Sequence, residues 1–312
     1  MEKFLVTGGA GFIGSNICKR LVSEGCFVRV LDNLLTGKKS NLADVLDKIE
    51  FVEADMGDSQ IAQSAMKDID VVLHQGALPS VPLSVDDPAA THRHCVDATF
   101  TLLVAARDVG VKRFVYAASS SAYGDTPALP KVETMRTEPL SPYAVAKLVG
   151  EYYCSVFSKV FGLETISLRY FNVFGPHQDP TSQYAAAIPA FVTGILRDEP
   201  PTVYGDGEQS RDFTYIDNVV HANLLAARVG QTAGEVINVA CGEAITVNAI
   251  IDMINKIVGK TVKPVYADQR PGDVKHSLAD ITKAQSLIGF KPVVSFNEGL
   301  QKAIEWYREN LL

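Results

Sequence analysis

Thr7-Gly8-Gly9-Ala10-Gly11-Phe12-Ile13-Gly14 follows a short apolar run, Lys3–Thr7, and opens a helix-period stretch that continues to Glu24. Gly8, Gly11 and Gly14 make a G-x-x-G-x-x-G spacing between a strand and a helix. Glycine is demanded there because the turn is tight, the backbone must approach a pyrophosphate, and helix and strand pack closely. The exposed N–H groups and the positive end of the helix then hold phosphate oxygens. Asp32 closes the next apolar run, eighteen residues beyond Gly14, where a carboxylate hydrogen-bonds ribose hydroxyls. An acid at that point disfavours a 2′-phosphate, so NAD is expected rather than NADP, a preference tempered by the nearby Lys38 and Lys39. Asp55, just past the third run, is placed either to meet the adenine amino group or to cap its own turn.

Outward from this motif, short β-branched runs alternate with longer helix-period stretches. Strands are expected at Lys3–Thr7, Phe27–Asp32, Ile49–Glu53, Asp70–His74, Arg113–Ser119 and Glu164–Arg169, and helices at Phe12–Glu24, Ile61–Lys67, Pro88–Val109 and Pro142–Phe161. Nearly continuous apolar strands are those of a parallel sheet covered on both faces. The pattern predicts an α/β chain: a Rossmann-type doubly wound sheet over residues 1–172. After Asn172 the regularity breaks at Pro176, Pro180, Pro189, Pro200 and Pro201. Short strands at Val203–Tyr204, Phe213–Ile216, Val236–Val239 and Val262–Tyr266 then mix with helices near Asp217–Val229, Asn248–Val258 and Phe296–Glu309. Residues 173–312 are therefore expected to form mainly a smaller α+β lobe that binds substrate, with some segments returning to the main sheet.

Composition narrows the class of partner. The 312 residues are 47% hydrophobic and 21% charged, with a net charge of −7, which disfavours a protein that wraps nucleic acid through clustered cations. No apolar run approaches the length that spans a bilayer, and Phe4–Thr7 is too brief for a signal-peptide core. The five cysteines are widely spread without a C-x-x-C pair, so neither a disulfide framework nor a metal site is expected, and the chain reads as cytoplasmic.

The chemistry is expected at the carboxyl ends of the strands. The fifth strand ends in Ser119-Ser120-Ser121, and downstream stands Ser141-Pro142-Tyr143-Ala144-Val145-Ala146-Lys147. Tyr143 and Lys147 are four apart on a helix that starts at Ser141-Pro142, so both lie on one face. A free phenol, with a pKa near ~10, is a poor base at neutral pH. A neighbouring ammonium and a positively charged nicotinamide ring favour the phenolate and are expected to pull that value down. Ser119 is expected to share the proton network.

With these motifs in order, the chain resembles the extended short-chain dehydrogenase/reductase family, and within it the nucleotide-sugar 4-epimerases. Further marks are H-Q-G-A-L-P-S-V-P from His74, S-S-S-A-Y-G-D, L-R-Y-F-N-V-F-G from Leu168, G-D-G-E-Q-S-R-D-F from Gly205 and R-P-G-D from Arg270. The resemblance implies that Tyr143 is the catalytic base, that Lys147 tunes it and holds the nicotinamide ribose, and that Ser119, four residues before Tyr123, is the catalytic hydroxyl. It further implies cofactor contacts from Phe12, Ile13, Asn33, Met56, Gln75 and Ala77. Asn172, Arg211 and Arg270 are implied to grip a substrate diphosphate, with Ser80, Ser120, Ser121, Ala186, Val203, Asp273 and Ser277 lining the substrate site. Arginine forks match phosphate oxygens.

In the implied cycle Tyr143 takes the proton of the sugar 4-hydroxyl as hydride leaves carbon 4 for NAD; the 4-keto sugar then presents its other face and is reduced again. Dehydrating relatives carry an acidic pair after the catalytic hydroxyl, where this chain has Ser120 and Ser121. Decarboxylating relatives carry Glu where it has Ser121. Epimerisation is therefore expected. Ser277, at a position where a bulky Tyr in some relatives excludes N-acetyl groups, points to UDP-GlcNAc/UDP-GalNAc, with UDP-glucose as a further substrate. The alternatives are a UDP-glucuronate 4-epimerase, for which no clear carboxylate-binding cation is present, and a non-catalytic NAD-binding scaffold. Cys95 and Pro79 depart from the family's usual Asn and Gly, which leaves cofactor packing and the loop over the sugar open to change. The family's usual pairing implies a homodimer through Pro88–Val109 and Pro142–Phe161.

Overall fold

The computed structural model describes residues 1–180, 187–268 and 275–311. A parallel sheet is built from β1 (Lys3–Thr7), β2 (Phe27–Asp32), β3 (Glu50–Glu53), β4 (Val71–His74), β5 (Arg113–Ser119) and β6 (Glu164–Tyr170). Four short strands follow: β7 (Val173–Phe174), β8 (Thr202–Tyr204), β9 (Ser210–Asp212) and β10 (Thr214–Tyr215). The chain then makes β11 (Glu235–Val239), β12 (Ala244–Thr246) and β13 (Val265–Ala267). The sheet order is β11-β6-β5-β4-β1-β2-β3, so the strand expected at Val236–Val239 is a segment that returns to the main sheet, pairing parallel with β6 as the seventh strand.

The central strands β1, β4 and β5 are mainly apolar because both faces are covered. Phe4 and Val6 of β1 pack into one core with Ile17 and Val219, whereas Leu5 between them packs into another with Leu102 and Phe114. Helices α1 (Phe12–Ser23) and α8 (Ile216–Arg228) cover the first face. The second is covered by α2 (Ser59–Met66), α5 (Ala98–Val109) and α6 (Pro142–Phe161). α6 starts where sequence placed it: Ser141 accepts from Ala144 N, Pro142 occupies the first turn, and Gly162 in the left-handed region (φ +74°) ends it.

The single helix expected over Pro88–Val109 is three pieces: α4 (Pro88–His92), a π-helical turn Arg93–Asp97, and α5. The extra residue of the π-turn turns Cys95 inward, where its Sγ accepts from Leu78 N at 3.4 Å. A smaller lobe gathers α7 (Ala187–Leu196), α9 (Val247–Val258) and the two-stranded pairs β9–β12 and β8–β13. Among the described residues, no helix is long and apolar enough to cross a membrane.

Candidate active site

The strand order turns back at β1, which lies between β4 and β2, and ligands of open α/β sheets sit outside the carboxyl ends of strands at such a point. A cavity of about 510 Å³ lies there. Gly8 adopts φ +65°, and a Cβ on it would lie 2.6 Å from Gly76 Cα; a Cβ on Gly14 would lie 2.2 Å from the carbonyl oxygen of Gly8. No side chain caps α1, whose N-cap is Gly11, so its first N–H groups are left for a ligand. Asp32 faces the cavity from the end of β2, its Oδ2 accepting from Ala10 N at 2.9 Å and its Oδ1 from Leu34 N at 2.8 Å. Two backbone donors fix the carboxylate and leave further lone pairs for ribose hydroxyls. Uncapped helix, glycine cradle and fixed acid fit NAD. Lys38 is engaged at 2.6 Å with Asp179, both on the cavity wall, which supports the preference against a 2′-phosphate.

Phe12, Ile13, Asn33, Met56, Gln75 and Ala77 all line the same cavity, as does Pro79. Asp55 does not. It is exposed, and its Oδ1 accepts from Gly57 N at 2.8 Å, so of the two roles open to it the structure shows the turn cap.

At the other end of the cavity the structure brings together Ser119, closing β5, and Tyr143, in the first turn of α6. The Lys147 ammonium donates to Ala117 O at 2.9 Å and stands 5.9 Å from the Tyr143 ring centroid. Burial pushes the phenol of Tyr143 well above its ordinary range, and a hydrogen bond with Ser119 opposes that only in part. The expected depression is therefore absent from the protein alone, where desolvation outweighs the one hydrogen bond that opposes it. Burial likewise holds Lys147 below its ordinary range. Ser121 donates through Oγ (2.9 Å) and N (3.2 Å) to Ser119 Oγ, so it orients that hydroxyl while neither it nor Ser120 faces the cavity.

Sequence reasoning missed Tyr170, His94 and His177, which also line this cavity. The Tyr170 hydroxyl donates to Gln75 Oε1 at 3.0 Å and is itself met by Asn223 Nδ2 at 2.8 Å. Its place inside L-R-Y-F-N was the available signal, and the same stretch runs on through P-H-Q-D-P to include His177; His94 stands in no motif.

A second cavity, of about 660 Å³, opens toward the smaller lobe, and Asn172 and Val173 line both. Val203 and Arg211 face it, as predicted for substrate contacts, and so do Arg197, Tyr204 and Gln209, which were not singled out. Arg211 Nη1 donates to the carbonyls of Ser210 (3.0 Å) and Lys275 (3.1 Å), which hold the fork against β9. Asn172 takes φ +33° and donates from Nδ2 to Asp212 O at 2.9 Å. Two expected contacts are placed differently. Ser80 faces neither cavity because its hydroxyl caps the helix α3 (Val81–Asp86), accepting from Leu83 N. Ser277 is tied by its N–H to Ser210 O at 3.0 Å, beside the strand that carries Arg211, and lines neither cavity. Ala186, Arg270 and Asp273 lie outside the described residues.

Comparison with known proteins agrees with this geometry. The NAD dependent epimerase/dehydratase family model matches residues 4–240. The structure is similar to the UDP-N-acetylglucosamine 4-epimerase of Methanobrevibacter ruminantium, solved with UDP-N-acetylmuramic acid: 40% identity, 99% of each chain covered, TM-score 0.95. It is similar to the UDP-glucose 4-epimerase of Thermotoga maritima, solved with UDP-glucose, at 38% identity, 99% of each chain and TM-score 0.94. A UDP-glucuronate 4-epimerase of Thermodesulfobacterium geofontis is 33% identical over 100% of this chain and 98% of its own length. With glycine cradle, fixed acid and buried Tyr–Lys pair in place, the chain belongs to the NAD dependent epimerase/dehydratase family of extended short-chain dehydrogenase/reductases, alongside its UDP-sugar 4-epimerases.

Proposed function

We propose that this chain, an NAD-dependent UDP-sugar 4-epimerase, acts chiefly on the UDP-GlcNAc/UDP-GalNAc pair and also accepts UDP-glucose. One observation carries the epimerase reading: the two cavities meet at Asn172 and Val173, one ending on Ser119 and Tyr143 and the other holding Arg211. A sugar at the first and a nucleoside diphosphate in the second would span them. NAD supplies the hydride acceptor and donor. The protein's own part is to hold and move a proton. Tyr143 takes it from the sugar 4-hydroxyl, Ser119 relays it, Lys147 stabilises the phenolate, and Asn172 and Arg211, with Arg270, hold the diphosphate while the 4-keto sugar turns. Residues 1–172 would then serve mainly the cofactor and the rest mainly the substrate. Val145, Tyr152, Val156 and Val160, exposed apolar side chains along one face of α6, support a homodimer.

The preference for N-acetylated sugars rests on the likeness to an enzyme of that specificity and on the small Ser277, which lies beside β9 and lines neither cavity, so that its part is carried by the family resemblance alone. The test is a panel of UDP-sugars, UDP-glucuronate included, incubated without added NAD and followed by product NMR. Conversion of UDP-GlcNAc to its 4-epimer is expected, and conversion of UDP-glucuronate alone would overturn the choice. Ser277→Tyr is expected to abolish turnover of N-acetylated sugars and spare UDP-glucose; equal loss on both sugars would sink the argument from Ser277.

A further inference from the structure

The inner face of α6 carries a third functional group beyond Tyr143 and Lys147. Glu151 lies one further turn along the same stripe, and both Lys147 and Glu151 are buried, at 4% and 3% exposure. The carboxylate of Glu151 accepts from Arg169 of β6 through Nε at 2.9 Å and Nη2 at 2.7 Å, a bidentate pair with both partners buried. Arg169 Nη1 has no hydrogen-bond partner; its guanidinium lies 4.6 Å from the Tyr123 ring centroid instead. Tyr123 in turn donates to Asn238 Oδ1 at 2.7 Å.

Such a pair is a poor device for stability alone. Two charges lose their hydration, and well-packed apolar side chains of similar volume often serve the fold as well or better. Its position offers a reason. The groups packed around Lys147 are Tyr143 and Cys154 on its own helix, Tyr116 on β5 with its ring 5.1 Å from the ammonium, His74 on β4, and Cys95 in the π-turn. They are phenols, thiols and an imidazole; burial pushes Tyr143, Tyr116 and Cys154 up and His74 down. Among these described neighbours Glu151 alone supplies a carboxylate, and, after Cys95 and Cys154, it opposes the burial that drives Lys147 toward the neutral amine.

We propose that Glu151, clamped by Arg169, is a positioning residue for the epimerase reaction: its negative charge keeps the buried Lys147 protonated and sets the pH range in which the Tyr143–Lys147 pair works. The inference rests on the roles given above to Tyr143 and Lys147. Replacing the carboxylate by an amide of the same shape leaves Arg169 facing Lys147 uncompensated. The local potential becomes more positive, so both the phenol and the ammonium lose their protons more easily.

The experiment compares Glu151→Gln with the wild type, each carrying NAD as purified. It follows tyrosinate absorbance against pH, with Tyr143→Phe as the subtraction reference, and the pH profiles of kcat and KM. Both the tyrosinate titration and the alkaline fall in kcat are expected to move down by about one pH unit. On the falling limb that is about a tenfold loss of kcat, with KM for the UDP-sugar within about twofold because Glu151 lines neither cavity. Glu151→Asp, which keeps the charge, should hold the wild-type profile even at reduced rate. If Glu151→Gln folds poorly, Glu151→Gln with Arg169→Gln removes both charges, and a smaller shift in the same direction is expected. Unshifted titration and kcat profiles in a folded variant, with only the melting temperature lowered, would overturn the proposal. Full turnover by Tyr143→Phe would instead overturn the underlying assignment, and the tyrosinate titration keeps those two failures apart.

Discussion

Tyr143 shows how far residue types at fixed spacing can be read. Its partners, Ser119 and Lys147, stand where the motif order placed them, because a phenol that moves a proton needs a hydroxyl and a cation within reach. Its proton affinity was not legible: burial of the site is a tertiary property, and it drives the phenol up in the protein alone. Tyr143→Phe keeps the ring and removes the hydroxyl proposed to carry the proton, so turnover is expected to fall about 10²- to 10⁴-fold. NAD content, read from absorbance after denaturing the purified protein, should stay unchanged; parallel loss of NAD would assign the effect to binding. Gly14→Ala makes the opposite separation. Its Cβ would sit 2.2 Å from Gly8 O, backbone against backbone, so the cradle must open and the protein should purify largely without NAD. Retention of a full complement of NAD would show that the cradle yields. Asp55 and Ser80 mark the limit of such reading. Short polar side chains serve as ligands or as local caps with equal chemistry, and in both the cap is what the structure shows.

Elements were more legible in position than in company. β1, β2, β5 and α6 begin and end where apolar runs and Ser141-Pro142 put them, since these signals are local. β11 was visible as a strand, yet five residues do not say which sheet they join; its partner β6 is distant in sequence. The π-turn at Arg93–Asp97 leaves no mark on hydrophobic periodicity. Buried polar ties between elements were equally silent. His74 on β4 meets Thr7 of β1 through Nδ1 at 2.7 Å and Thr99 of α5 through Nε2 at 2.9 Å. Burial pushes its pKa down to about 3. The unfolded chain therefore binds a proton that the native state refuses, so stability falls as pH drops below about 6.5 toward 3, by up to about 5 kcal/mol. Asp212, raised to about 6 by burial, has the opposite sign: its native carboxyl holds a proton longer, so it costs stability as pH rises from about 4 through 6. Urea midpoints measured from pH 4 to 7 should show a steeper acid loss for wild type than for His74→Gln, and identical slopes would remove His74 from the account. Asp212 also accepts from the N–H groups of Cys241, Gly242 and Ala279, which join β9 to two loops. Asp212→Asn turns an NH₂ toward at least one of those donors and is expected to cost about 2–4 kcal/mol. A midpoint unchanged from wild type would mean that the loops find other partners.

At the scale of the whole molecule, the described residues leave an apolar surface on α6 that its own fold does not explain. Val145, Tyr152, Val156 and Val160 follow one another along α6 at helical spacing, and all are between 46% and 66% exposed. Phe100 of α5, 41% exposed and packed on Tyr153 at 5.0 Å between ring centroids, extends the patch. The opposite face of the same helix carries Tyr143, Lys147 and Glu151. A contact along the outer stripe would therefore brace the helix that holds the chemistry. Contiguous apolar side chains of this kind mark an association surface, and a second copy meeting α5 and α6 would bury them reciprocally about a two-fold axis. The sequence hid this in plain view, since outward and inward apolar positions look alike until burial sorts them. Sedimentation equilibrium should give twice the chain mass of 33.7 kDa for wild type. Tyr152→Glu with Val156→Lys, two changes on the exposed stripe, should shift the species to the single-chain mass, with α-helical circular dichroism unchanged. Turnover per chain should then fall as α6 loses its brace, and the loss should be partly recovered at high protein concentration. A wild type that sediments at the single-chain mass would show that α6 presents this stripe to something other than its own copy.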